Sequence, residues 1–146
     1  MTLLDMVASP ARLDADDPLT CARLIRVLGD PVLRTPAIPV DGYDQGLHEL
    51  TVLMARALVA AGGVGLAAPQ IGVAGRVLVY RMDHGDDQPI MANVNPSWEP
   101  LSRDTDTQLE GCLSIPGVQL PVSRYTRIHV EGRTPAGDLI SFDTYG

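Results

Sequence analysis

The sequence predicts an α+β fold, with one amphipathic helix near its start and short, mainly antiparallel strands after it. Three observations carry this expectation. Only one stretch, residues 46–61, places apolar side chains at helical spacing over several turns. Four later stretches, near 76–80, 90–94, 126–131 and 138–142, are short and either apolar or alternating. The 14 glycines and 12 prolines among 146 residues punctuate the chain with turns between them.

The helix rests on Leu47, Leu50, Leu53, Met54, Leu58 and Ala61, which recur every three or four residues. Asp44 is placed to cap its start and Gly62-Gly63 to end it. Before it, residues 1–21 read as a polar, flexible leader through Asp14, Asp16, Asp17 and Pro18. Residues 22–146 read as one domain. Gly29-Asp30-Pro31 marks a turn, and Pro36 and Pro39 keep residues 35–40 extended. After the helix, Gly62 to Gly72 is expected to be a glycine-rich loop. Val77 to Tyr80 reads as a buried strand and Asp83 to Asp87 as the turn after it. Ile90 to Val94 is a second strand, closed by Asn95-Pro96, and Gln108 to Pro116 a second loop. Ile128 and Val130 alternate with Arg127, His129 and Glu131. Pro135 to Asp138 then turns the chain into Leu139 to Phe142.

Composition narrows the function. Apolar residues make up 45% of the chain, enough for a core, and it is mostly aliphatic because the aromatics are one Trp, four Tyr and one Phe. The net charge of −7 argues against nucleic-acid binding, which needs clustered Arg or Lys. All eleven cations are Arg. Cys21 and Cys112 fit no disulfide framework, so a reducing, cytoplasmic setting is expected. Met1 to Pro10 has no cation and so no secretory start, and Arg56 and three glycines break the longest apolar stretch, which excludes a membrane span.

Two segments are candidates for chemistry. In Gly63-Val64-Gly65-Leu66-Ala67-Ala68-Pro69-Gln70, two glycines flank one side chain, so a ligand can approach the backbone, and Gln70 offers an amide donor for an oxyanion. Taken alone, the same stretch reads more readily as a helix cap and tight turn. In Glu110-Gly111-Cys112-Leu113-Ser114, a thiolate beside glycine can ligate a metal or attack a substrate, though lone cysteines are commonly buried apolar residues. The histidines offer less. His48-Glu49 is followed at the fourth position by Val52, so no second ligand shares that face. His84 falls in an acidic turn and His129 on the polar side of a strand, and no Ser/His/Asp arrangement stands out along the sequence.

The pair Gly-x-Gly-Leu-Ala-Ala-x-Gln and Glu-Gly-Cys-Leu-Ser resembles the motifs of peptide deformylases. Gly63 to Gln70 matches the first motif at every fixed position and Glu110 to Ser114 matches the second in full. Supporting stretches are Gly29 to Arg34, Asn95-Pro96 and Ser123-Arg124-Tyr125, and the resemblance covers residues 22–146. It implies a metal-dependent hydrolase that removes the N-formyl group from the initiator methionine of nascent polypeptides. It further implies partners in formylmethionyl peptides and, through them, the ribosome. The implied cofactor is Fe2+, with Zn2+ or Ni2+ as substitutes. Within the resemblance Cys112 matches the cysteine metal ligand. Gln70 and the Leu113 backbone N–H match the oxyanion donors, and Gly63, Val64 and Gly65 match the segment that pairs with substrate backbone, Val64 also lining the methionine pocket.

One departure stands out. The family's third motif, His-Glu-x-x-His on a C-terminal helix, supplies two ligands and the general base, and it does not occur in these 146 residues. The chain is therefore expected to be an incomplete deformylase domain, truncated before that helix, unable to hold the metal alone and inactive as it stands. The alternative is a non-catalytic relative that binds peptides or another partner. A cysteine hydrolase built on Cys112 ranks last, because no histidine is placed to activate the thiol.

Overall fold

The computed structural model describes residues 17–82 and 89–145. Its main helix, α2 (Gln45–Ala60), forms as the pattern predicts. The Asp44 carboxylate accepts from the Leu47 backbone N–H at 3.0 Å, satisfying a donor that no helical carbonyl can reach. Gly62, at φ 64°, takes the left-handed conformation that ends the helix. Leu47, Leu50, Met54, Ala57 and Leu58 are fully buried. They pack under β1 (Gly65–Ala67) and β2 (Val77–Tyr80), whose Leu66, Val77 and Val79 complete the core with Val94. A short helix, α1 (Pro18–Ala22), precedes α2 and packs on it, with Cys21 buried. The expected boundary after residue 21 thus falls inside α1; the leader before Asp17 lies outside the described residues.

Among the described residues, seven strands form two antiparallel sheets. The larger runs in the order β1-β2-β3-β6-β7, with β3 at Met91–Pro100, β6 at Arg127–Arg133 and β7 at Leu139–Tyr145. The smaller is the hairpin of β4 (Thr105–Cys112) and β5 (Ile115–Tyr125). Four expected strands are present at their predicted places. The turn read at Asp83 to Asp87, with His84, lies outside the described residues.

Three expectations are corrected. Residues 62–72 are more than a loop, because β1 forms within them and Ala68–Ile71 makes a turn of 3-10 helix. The strand at residue 90 does not stop at Asn95-Pro96. The register against β6 shifts between Val94 and Ser97, and Asn95, at φ 53°, occupies the irregularity. Its side chain is tied to the backbone of Val40 twice, with Oδ1 accepting from N–H and Nδ2 donating to C=O, both at 2.8 Å. A bulge accommodates the proline, and the strand runs on to Pro100. Finally, Gln108 to Pro116 is hairpin, not loop. Apart from half-buried Glu110, every residue of β4 is exposed, so it lacks the inward-facing stripe that makes a strand legible.

Candidate active site

The loop after α2 and the turn of the β4–β5 hairpin face each other across a cavity of about 870 Å³. Gly63, Val64, Gly65, Gln70, Cys112 and Leu113 all line it, so the six residues picked out from the two motifs share one site. Pro116 to Gln119, at the start of β5, form a wall that sequence reasoning did not anticipate.

Gly63 explains how closely the two segments approach. A Cβ built there would lie 2.7 Å from Leu113 Cδ1 and 2.9 Å from Leu58 Cδ1, so a larger residue would force both leucine side chains to shift. At Gly65 the nearest contact of such a Cβ is ordinary, 3.8 Å from the Val79 carbonyl oxygen. The steric demand of packing for a glycine therefore falls on Gly63 and not on Gly65. Gly63→Val is expected to cost about 1–3 kcal/mol by overpacking, while Gly65→Ala stays within about 1 kcal/mol of the parent. Urea denaturation of the two variants measures this, and equal losses would place the constraint elsewhere.

Gln70 sits half-buried on the 3-10 turn. Its Oε1 accepts from Ala67 N–H at 2.9 Å. Its Nε2 donates to Ser114 Oγ at 3.0 Å and lies 3.8 Å from Cys112 Sγ. Cys112 is exposed to the cavity, whereas Ser114 is buried. Two backbone bonds from one segment hold this pairing from behind, Arg26 N–H to Gln70 C=O at 2.7 Å and Leu28 N–H to Ser114 C=O at 2.8 Å. On the hairpin, Arg124 grips Glu110 with two bonds of 2.8 Å, which holds the Glu110 carboxyl below its ordinary range.

The arrangement supplies one soft metal ligand, a directed amide donor and an edge strand. Among the described residues no group of three His, Cys, Asp or Glu is placed to hold a metal ion. A lone thiolate is too small a donor set for a divalent cation, so these residues do not complete a metal site by themselves. His48 is exposed on α2, away from the cavity.

His129 has a setting that its sequence did not announce. Its Nδ1 meets Asp143 Oδ1 at 2.7 Å and its Nε2 meets Ser141 Oγ at 3.2 Å, a Ser–His–Asp line across β6 and β7. The bond to Asp143, with Glu131 and Glu99 nearby, raises the imidazole above its ordinary 6.5. The sign follows: the interaction stabilises the fold fully below the unfolded value, and the benefit fades as pH rises through the raised one. NMR titration is expected to show His129 titrating above a model histidine and Asp143→Asn bringing it down; an unshifted parent would refute the pairing.

The chain matches the family profile described as polypeptide deformylase over residues 22–146. It is 41% identical over 124 residues to peptide deformylase 1 of Corynebacterium glutamicum, covering 85% of this chain and 73% of the relative. The chain belongs to the polypeptide deformylase family. Peptide deformylase of Acidothermus cellulolyticus is 45% identical over 118 residues, with 81% of this chain and 63% of the relative covered. The solved peptide deformylase of Thermotoga maritima superposes with a TM-score of 0.77 at 36% identity, covering 84% of this chain and 80% of that one. A peptide deformylase from Synechococcus elongatus, in complex with actinonin, gives 0.77 at 34% identity, covering 84% and 65%. Deformylases are hydrolases acting on the N-formyl group of nascent peptides, and that is the activity of the family to which this chain belongs. Among the described residues no helix is long and apolar enough to cross a membrane.

Proposed function

We propose that the cavity between Gly63–Gln70 and Cys112–Leu113 is the formyl-peptide site of a cytoplasmic peptide deformylase. The observation that carries this reading is Gln70 Nε2 lying 3.8 Å from Cys112 Sγ, which puts an oxyanion donor and a metal ligand within reach of one substrate group.

Each residue then has a defined task. β1 is the edge strand of its sheet, so the outward side of Gly65 is available to pair with an extended peptide. Val64, 43% exposed at the cavity, contributes apolar surface for the methionine side chain. The formyl oxygen is received by Gln70 Nε2–H and by the Leu113 backbone N–H. These donors are worth most when negative charge builds on that oxygen. Cys112 is the metal ligand that this chain contributes, and Fe2+, with Zn2+ or Ni2+ in its place, is the ion the family resemblance implies. The two histidines and glutamate that complete such a site belong to the His-Glu-x-x-His pattern, which is not among the 146 residues. These residues alone therefore bind and orient the substrate without turning it over. The natural substrates are formylmethionyl nascent chains, met at the ribosome.

Peptide binding tests this reading separately from turnover. Titrating formyl-Met-Ala into the 15N-labelled chain is expected to move the amide signals of Gly63 to Gly65, Gln70 and Cys112 to Ser114, while unformylated Met-Ala leaves them in place. Shifts confined to other surfaces would remove the cavity from consideration. Shifts without turnover in any metal-supplemented form carrying the third motif would favour the non-catalytic, peptide-binding alternative.

A further inference from the structure

We propose that Ser114 is a positioning residue: its hydroxyl holds one N–H of the Gln70 amide so that the other is aimed at the reacting oxygen beside Cys112. This rests on the reading of Gln70 as an oxyanion donor and adds the means by which that donor is oriented.

The terminal torsion of a glutamine side chain is broad and roughly two-fold, so an unanchored amide samples many directions and exchanges its oxygen for its nitrogen. Gln70 has two anchors that remove this freedom. The Ala67 N–H can only donate, so the group facing it at 2.9 Å is Oε1. Nε2 therefore faces the hairpin, where Ser114 Oγ accepts one of its two protons at 3.0 Å. With the amide plane fixed at both ends, the second Nε2 proton is left on the side of Cys112 Sγ, 3.8 Å away. A hydroxyl is suited to this place because it accepts without carrying charge. A carboxylate at position 114 would be a costly buried anion, and an apolar side chain would leave the Nε2 end of the amide unheld.

Ser114 can serve as a fixed point because it is itself held. Its side chain is buried, and its carbonyl accepts from Leu28 N–H at 2.8 Å. The same segment donates from Arg26 N–H to the Gln70 carbonyl at 2.7 Å. One stretch of backbone thus locates both members of the pair, 44 residues apart in sequence, relative to each other.

The test has two readouts. In the 15N-labelled 146-residue chain, the Gln70 side-chain amide is expected to have an order parameter near the rigid value of ~0.85. In Ser114→Ala it should fall below ~0.6 with the α2 and β2 backbone signals unmoved, and Ser114→Thr, which keeps the hydroxyl, should restore it. The second readout is kinetic, in the chain extended by a His-Glu-x-x-His helix. There Ser114→Ala is expected to lower kcat about tenfold and leave KM within about twofold, while costing nothing further once Gln70 is alanine. Parental order and parental kcat in Ser114→Ala, with Gln70→Ala impaired, would overturn the proposal and leave Gln70 as the donor. A Ser114→Ala loss that persists in the Gln70→Ala background would also overturn it, marking a general packing defect. If Gln70→Ala itself keeps full kcat, the oxyanion reading fails first, and the proposal falls with it.

Discussion

Joining a helix that carries His-Glu-x-x-His after Gly146 is expected to raise hydrolysis of formyl-Met-Ala from background to a metal-dependent rate, while the 146-residue polypeptide stays at background with iron, nickel or zinc supplied. The general base alone accounts for about 10²–10⁴ in rate, so the gain should exceed a hundredfold. Two histidines at i and i+4 share one face of a helix, and the thiol they need is ready beside the cavity at Cys112. The sheet also offers such a helix an apolar surface. Ile128, Val130 and Phe142 are only half-buried, and Trp98 stands opposite Val130 while 61% exposed. A groove of about 630 Å³ runs beside them between Trp98, Tyr125, Ile128 and Tyr145. Each apolar side chain the helix buries adds about 1.5–3 kcal/mol, so the fusion should also melt higher than the parent. Cys112→Ala should return the fusion to background. A folded, metal-loaded fusion that still fails to turn over would transfer the lead to the peptide-binding alternative. Turnover by the 146 residues alone, lost in Cys112→Ala, would mean that ligands come from a second chain.

What the sequence revealed tracks where one face of an element is buried. α2 was legible because Leu47, Leu50, Met54 and Leu58 all face the core, and Asp44 and Gly62 mark its ends by chemistry that needs no partner. β2, β6 and β7 were legible from short apolar or alternating runs. The β4–β5 hairpin was not, because it is exposed almost throughout. The continuation of β3 past Pro96 was hidden for a different reason. It depends on Asn95 bonding Val40, a contact 55 residues distant that no local pattern encodes. The Ser141–His129–Asp143 line could have been found. Once the turn at Pro135 to Asp138 sets Arg133 opposite Leu139, counting back along the ladder puts His129 opposite Asp143. The site itself was legible only as a pair of motifs. That Gln70 and Cys112, 42 residues apart, should meet followed from the family resemblance and not from any local pattern, and nothing in the sequence says that Ser114 is the buried partner of Gln70.

Gln70 carries the second large effect. In the helix-bearing protein, Gln70→Ala is expected to lower kcat by about 10²–10³, corresponding to roughly 2.7–4 kcal/mol of lost transition-state stabilisation, with KM little changed. The split follows from where the donor acts. A formyl oxygen in the ground state is a modest acceptor, whereas the same oxygen in the tetrahedral state is anionic, so the bond strengthens as the reaction proceeds. Alanine also leaves the Ser114 hydroxyl buried without its Gln70 partner, which should cost about 1–3 kcal/mol in stability. That second effect has to be separated from the first. Gln70→Glu does so, because its carboxylate can still accept from Ala67 N–H while offering no amide proton to the substrate. An anion there would also face the Cys112 sulfur and the growing oxyanion with the wrong sign. Where its carboxyl is ionised, Gln70→Glu should therefore turn over no faster than Gln70→Ala. Steady-state kinetics with formyl-Met-Ala, alongside urea denaturation of all three proteins, give both quantities. Were either variant to keep a kcat within about threefold of the parent, the few kcal/mol expected of an oxyanion donor would be absent, and Gln70 would be a structural link between Ala67 and Ser114 with no part in the chemistry.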